Sequence, residues 1–291
     1  MAGDQQAPDA PPARGSRAGR DLPAAIIVGV ALAASVVVTL LYWHWGFVLL
    51  VTAMLTLGTV ELHDALKRIG MNSAIVPIVV GTIALICGTY AAATHSDALP
   101  WQIVMLACLG ATTLMALVWR MPGGAAGYVK DAAASLFTIA YIPLLGSFAG
   151  LTVAMPNGAA KMATVLLVVM ANDTGGYAVG ARFGKHPMAP LISPKKTWEG
   201  LAGSVALATA VGIPLTVWWL GSSAWIGLAL SLAVVAAATC GDLIESLIKR
   251  DVGIKDMSSF LPGHGGAMDR LDSILVASPV SWLLLYWLIP N

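Results

Sequence analysis

Residues 223–272 read SAWIGLALSLAVVAAATCGDLIESLIKRDVGIKDMSSFLPGHGGAMDRLD. The first half, from Ser223 to Glu245, is an apolar run long enough to cross a bilayer, which takes about 20 residues. The second half, from Ser246 to Asp272, gathers Lys249, Arg250, Lys255, Asp256, His264, Asp269, Arg270 and Asp272. Charge beside a bilayer is costly, about 2.5–3.5 kcal/mol per group at a helix centre on insertion scales. Such a cluster therefore needs a polar task, and alternating cations, carboxylates and a Gly-Gly turn suit a metal and phosphates.

The same reading extends over the whole chain. Of its 291 residues 58% are hydrophobic and 11% charged, against about 25% charged in soluble proteins. This composition predicts an all-α, polytopic integral membrane protein. Residues 1–21, rich in Ala, Pro, Gly and Arg, lack apolar periodicity and read as a disordered tail. The apolar run that follows is longer than the core of a signal peptide and reads as an uncleaved first span. Candidate spans are 23–43, 45–61, 73–93, 101–119, 132–153, 160–182, 200–220, 223–245 and 273–290, about nine in all. They divide into N-terminal helices, 22–153, and a C-terminal catalytic part, 154–291.

Positive charge sets the expected orientation. With the N-terminus cytoplasmic, the inner segments hold every one of the 16 Lys and Arg residues except Lys161. The outer loops, near His95–Pro100, Pro156–Gly158 and Gly221–Ser223, are short and bland. No soluble domain, dinucleotide fingerprint or P-loop is visible, and nothing suggests nucleic acid. Cys87, Cys108 and Cys240 lie in apolar runs without metal-ligand spacing, and read as small buried hydrophobes.

Three polar constellations stand out. Asn172-Asp173-Thr174 interrupts the sixth span; an intramembrane Asp is a functional candidate, although it can also bond a neighbouring helix. Gly176, Gly180 and Gly184, four residues apart, read as helix-packing positions. The inner loop Ser193-Pro194-Lys195-Lys196-Thr197-Trp198-Glu199-Gly200 places two lysines just before a helix N-terminus. Such a terminus receives phosphates, but a lysine pair there also fits the ordinary positive-inside bias. Asp242, Glu245, Ser246 and Lys249 share one helical face, and the turn at Pro262–Gly266 returns Asp269 and Asp272. Oxygen ligands from two elements suit a hard cation such as Mg²⁺, and glycines let backbone N–H groups reach phosphate oxygens. His264 can serve as general base, phosphate donor or loop-structuring residue.

These residues resemble the signature of the phosphatidate cytidylyltransferases (CDP-diacylglycerol synthases). The matching positions are Ser246, Lys249-Arg250, Lys255-Asp256, Pro262, His264-Gly265-Gly266 and Asp269-Arg270-x-Asp272. Asn172-Asp173-Thr174, the Ser193–Gly200 motif and Gly241-Asp242 also look like the family's. One departure is Ala267, where the family usually carries a larger apolar residue. The resemblance implies transfer of the cytidylyl group of CTP to phosphatidic acid, giving CDP-diacylglycerol and pyrophosphate, by a homodimer that depends on Mg²⁺, with room for a second cation. The expected setting is the inner (plasma) membrane, and the charge distribution puts the site on the cytoplasmic side.

On that reading Asp242 and Asp269 are the principal metal ligands, with Asp272, Asp173 and Asp256 as secondary candidates. Lys249, Arg250, Lys255, Asp256, His264 and Arg270 are the catalytic candidates. Asn172, Asp173, Thr174, Ser193, Lys195, Lys196, Thr197, Glu199, Ser246, Gly265 and Gly266 are expected to bind substrate. Two rivals are a CTP-dependent enzyme acting on a polyprenol or other lipid, and an ion-coupled transporter using Asp173 and Asp242. A transporter predicts an internal symmetry that the sequence does not display.

Overall fold

The computed structural model describes residues 22–95, 99–258, 260 and 265–289, with side chains from Ile26 onward. The helices are α1 (Leu22–Tyr42), α2 (His44–Arg68), α3 (Ile75–His95), α4 (Trp101–Arg120), α5 (Tyr128–Ile139), α6 (Leu145–Ala154), α7 (Gly158–Phe183), α8 (Trp198–Trp218), α9 (Ala224–Val252) and α10 (Met268–Leu288). A π-helical turn, Ala140–Leu144, joins α5 to α6. Pro143, lacking an N–H, sits within it and accounts for the break in the ladder.

Eight segments among the described residues are long and apolar enough to cross a membrane, α5 and α6 counting together as one. The apolar helix α1 precedes them. Each expected span thus corresponds to a helical segment. A chain in hydrocarbon must satisfy its backbone internally, and helices do so within one segment. Hydroxyls inside the spans follow the same rule: Thr52, Thr82, Thr138 and Thr164 each donate to the carbonyl four residues back, at 2.7–2.8 Å.

Several helix ends differ from expectation: α9 continues to Val252, α10 begins at Met268 and α5 at Tyr128. The second span was expected to end at Glu61, its first charge, but α2 continues to Arg68. Glu61 is buried because backbone N–H groups at the start of α10 meet its carboxylate. The inner loop before α8 contains a small antiparallel hairpin of Pro187–Ala189 (β1) and Ser193–Thr197 (β2).

The largest apolar core takes Phe47, Leu55 and Leu62 from α2, Met162 from α7, and Met268 and Leu275 from α10. The sequence halves on either side of residue 153 therefore share one core. A second core packs Val165, Val168 and Val169 of α7 against Leu230, Val234 and Val235 of α9. The cysteines are a correction: Cys87 and Cys108 are half-buried and Cys240 is exposed. In a membrane span an apolar side chain has no need of the protein interior.

The α7–α8 contact positions the site. A Cβ on Gly175 would stand 2.4 Å from the Gly203 carbonyl oxygen, and one on Gly176 2.6 Å from Ser204 Oγ. Glycine on both helices lets the backbones touch, which carries Asp173 towards the start of α8. Ser204 Oγ donates to the Asn172 carbonyl at 2.7 Å and locks the register. The α9–α10 pair uses the same device. A Cβ on Gly241 would lie 2.3 Å from the Asp272 carbonyl oxygen, so Asp242 and Asp272 are held next to one another.

Candidate active site

At the end of the bundle where α7 and α9 finish and α8 and α10 begin, a pocket of about 340 Å³ opens between α7, the hairpin, α8 and α9. Asn172, Asp173, Ser193, Lys195, Lys196, Thr197 and Asp242 line it. Three segments far apart in sequence therefore meet at one polar hollow.

Each arrives for a local reason. Thr197, extended at the N-cap of α8, accepts the Gly200 N–H at 3.1 Å, satisfying one of the helix's open donors. The hairpin turns Lys196 towards α9, and its Nζ stands 2.6 Å from Asp242 Oδ2. Asp173 accepts from Asn172 Nδ2 at 2.9 Å within its own helix and faces the pocket rather than bonding a neighbouring helix. Glu199 stands outside the pocket lining and braces the turn before the hairpin, accepting from the Lys185 N–H (3.1 Å) and His186 N–H (3.2 Å). Arg250 Nε donates to the Ile192 carbonyl at 2.8 Å, tying the last turns of α9 to the hairpin. Ser246 Oγ lies 3.4 Å from Asp242 Oδ1.

Beside the pocket lies a second, buried knot. Lys249 Nζ donates to Glu245 Oε2 at 2.7 Å and stands 2.5 Å from Asp269 Oδ1. Asp269, expected as a metal ligand, has both oxygens engaged by protein donors: besides Lys249, the Gly266 N–H reaches Oδ2 at 2.7 Å and the Met257 N–H at 3.1 Å. Gly265 sits at φ +76°, where glycine is favoured, and a Cβ there would be 2.8 Å from Asp269 Oδ2.

Glu61 completes this knot and was not singled out in the sequence. It accepts from the Ala267 N–H (2.9 Å), the Met268 N–H (2.8 Å) and Ser258 Oγ (2.5 Å). A carboxylate at a helix N-terminus is favourably placed, so α2 fixes the loop that enters α10. Gly266 is required as well, since a Cβ there would lie 2.6 Å from Glu61 Oε2. The one signal in the sequence was a carboxylate closing an apolar run.

Tyr141, from the π turn, lies within electrostatic reach of Glu245, Asp242 and Asp272. Its Oη and Glu245 Oε1 are buried without a hydrogen-bond partner among the described residues. Asp272 in turn lies within reach of Asp242, Asp173 and Lys249, and accepts the Ser273 N–H at 2.6 Å. Among the described residues no three His, Cys, Asp or Glu side chains converge on one point. Mg²⁺ does not require that, since it takes one or two carboxylates with water and substrate phosphates. Asp242 and Asp272, within electrostatic reach of one another, supply the one or two carboxylates such an ion takes.

The remaining expected residues lie apart from the pocket lining. Thr174 is exposed on α7, and Lys255 and Asp256 are exposed on the loop after α9. Arg270 is exposed at the start of α10 and borders a separate apolar cavity of about 130 Å³ with Leu32, Val36, Phe47 and Leu50. His264 and Pro262 lie outside the described residues.

A helical membrane bundle with lysines and a helix N-terminus around a carboxylate-flanked hollow defines a membrane protein equipped for phosphorylated ligands. The cytidylyltransferase family profile matches residues 23–288, and the chain belongs to that family. A phosphatidate cytidylyltransferase of Mycobacterium leprae (strain TN) is 37% identical over 286 residues, 92% of this chain and 89% of the relative. The enzyme of that name from Mycobacterium tuberculosis (strain ATCC 25618 / H37Rv) is 37% identical over 93% of this chain and 84% of its own length. That of Staphylococcus aureus (strain COL) is 31% identical over 82% of this chain and 90% of its own.

Proposed function

We propose that the chain transfers the cytidylyl group of CTP to phosphatidic acid in the 340 Å³ pocket, giving CDP-diacylglycerol and pyrophosphate. The observation that carries this is the meeting of Asp173, Lys195, Lys196 and Asp242 from three segments, in a chain whose relatives bear the name phosphatidate cytidylyltransferase.

The lipid phosphate is the nucleophile. One of its oxygens bonds to the α-phosphorus of CTP, and the bond from that phosphorus to the bridging oxygen of the β-phosphate breaks. The electron pair leaves with pyrophosphate. No covalent adduct with the protein is needed, so catalysis rests on positioning and charge. Lys195 and Lys196 hold the nucleotide phosphates at the start of α8, where open N–H groups add their own attraction. Lys196 can exchange its contact with Asp242 for a phosphate oxygen, leaving Asp242 free beside Asp272. Asp242 and Asp272 would hold Mg²⁺, which when bound would supply charge neutralisation for the phosphates. Asp269, Lys249 and Glu61 keep the 265–268 turn and the first turn of α10 in place. Arg250 fixes the hairpin that carries the lysines. Arg270, at the rim of the apolar cavity, marks the side from which the lipid's acyl chains approach.

The positive-inside distribution supports a cytoplasmic pocket, and the family resemblance supports the plasma membrane and a homodimer. Accessibility labelling of a cysteine placed at Lys195 in intact cells, and light scattering of the purified protein, test these two points.

The central test is pyrophosphate release by purified protein. Release is expected only when CTP, phosphatidic acid and Mg²⁺ are all present, with the cytidine retained on the lipid product. Appearance of free CDP and a phosphorylated lipid would instead identify a kinase.

A further inference from the structure

The opposite end of the bundle holds a second, unrelated cavity. Its volume is about 480 Å³, and Trp101, Met155, Trp282, Tyr286 and Trp287 form much of its wall. The rings make one cluster: Trp101 meets Trp282 edge-on at 5.5 Å, and Trp282 stacks on Tyr286 at 5.2 Å. Lys161, in the first turn of α7, lines the same cavity and is 3% exposed. Its Nζ has one acceptor among the described residues, the Ile289 carbonyl, at a long 3.4 Å. Along α10, Asp269 and the first cavity residue, Trp282, stand 13 residues apart, about 20 Å at 1.5 Å per residue.

An ammonium group withdrawn from water and given one weak neutral acceptor is under-satisfied. An anion in the cavity would satisfy it. Trp and Tyr gather where a protein crosses the headgroup level of a bilayer, which favours a lipid as the source of that anion. A quaternary ammonium headgroup, although suited to aromatic rings, would meet the charge of Lys161. We infer that this cavity binds the phosphodiester headgroup of an anionic phospholipid, with Lys161 as the phosphate contact and the aromatic wall against its glycerol and first methylenes.

Native mass spectrometry of the intact, detergent-solubilised protein tests this with three probes: phosphatidylglycerol, phosphatidylcholine and inorganic phosphate. The wild type and Lys161→Arg should each retain one phosphatidylglycerol per protomer. Lys161→Gln should hold it about tenfold more weakly, as expected for one lost charge-assisted hydrogen bond. Equal retention by Lys161→Gln, equal retention of phosphatidylcholine, or saturation by inorganic phosphate alone would each overturn the inference. A second measurement needs no variant. Brominated phosphatidylglycerol should quench tryptophan fluorescence more strongly than brominated phosphatidylcholine, and equal quenching would also overturn it. Neither readout depends on nucleotide transfer.

Discussion

Two clusters built from the same residue types lie side by side where α9 meets α10, and burial separates their tasks. In the pocket, the Lys196 and Asp242 side chains are 22% and 38% exposed and form a single contact. In the knot, Glu245 and Asp269 are 1% and 9% exposed, and Lys249 bridges them. A wetted pair is weakly held and can be traded for a substrate phosphate. A buried pair is strongly destabilising to break, because the remaining charge has nowhere to go. Lysine-carboxylate pairs thus serve as exchangeable ligands in one place and as fasteners a few residues away.

The comparison can be broken most directly in the pocket. Lys196→Ala and Asp242→Asn should each lower kcat/KM by about 10²–10³-fold, the scale of removing one preorganised electrostatic group, with little change in Tm. A matching fall in Tm would show that the pocket pair is structural after all. Lys249→Met is expected to do the reverse in kind, leaving two buried carboxylates unpaired at a cost of about 3–5 kcal/mol. Thermal unfolding should show the loss before any assay does. Asp269→Asn discriminates further: it should lose activity and Tm together, whereas Asp242→Asn loses activity alone.

Glu61→Gln sharpens the role of the knot. It retains the shape but weakens contacts to three donors, costing about 1–3 kcal/mol. If Glu61 positions the turn, kcat should fall while KM for CTP stays close to wild type. A change confined to KM would place Glu61 on the nucleotide instead. The smallest effect is expected from Thr197→Ala, which removes the α8 cap at about 1 kcal/mol. KM for CTP should rise with kcat little altered, and isothermal titration with CTP would read the same shift as weaker binding.

The positions of the helices were legible because apolar length is a local property. The helix ends were less so. The second span was placed at 45–61, ending at Glu61, and only its distant partners, Ala267 and Met268, show how that carboxylate is accommodated while α2 runs on to Arg68. Lys161 was read as a bland outer residue for the converse reason: nothing near it in sequence reveals the ring cluster supplied by α4 and α10. In the signature region the residue types pointed to phosphate and metal chemistry, but not to which carboxylates are spoken for. Asp269 is engaged by Lys249 and loop N–H groups, while Asp242 and Asp272 are brought together by the contact at Gly241.

By itself the sequence determined a many-span helical membrane protein, its family, and the side chains that can handle phosphates, since hydropathy and motif spacing are written along the chain. Tertiary structure alone decided which charges share a cavity, which are buried and which remain exchangeable. Those properties depend on helix contacts between residues as distant as Glu61 and Met268, and on the solvent each contact excludes.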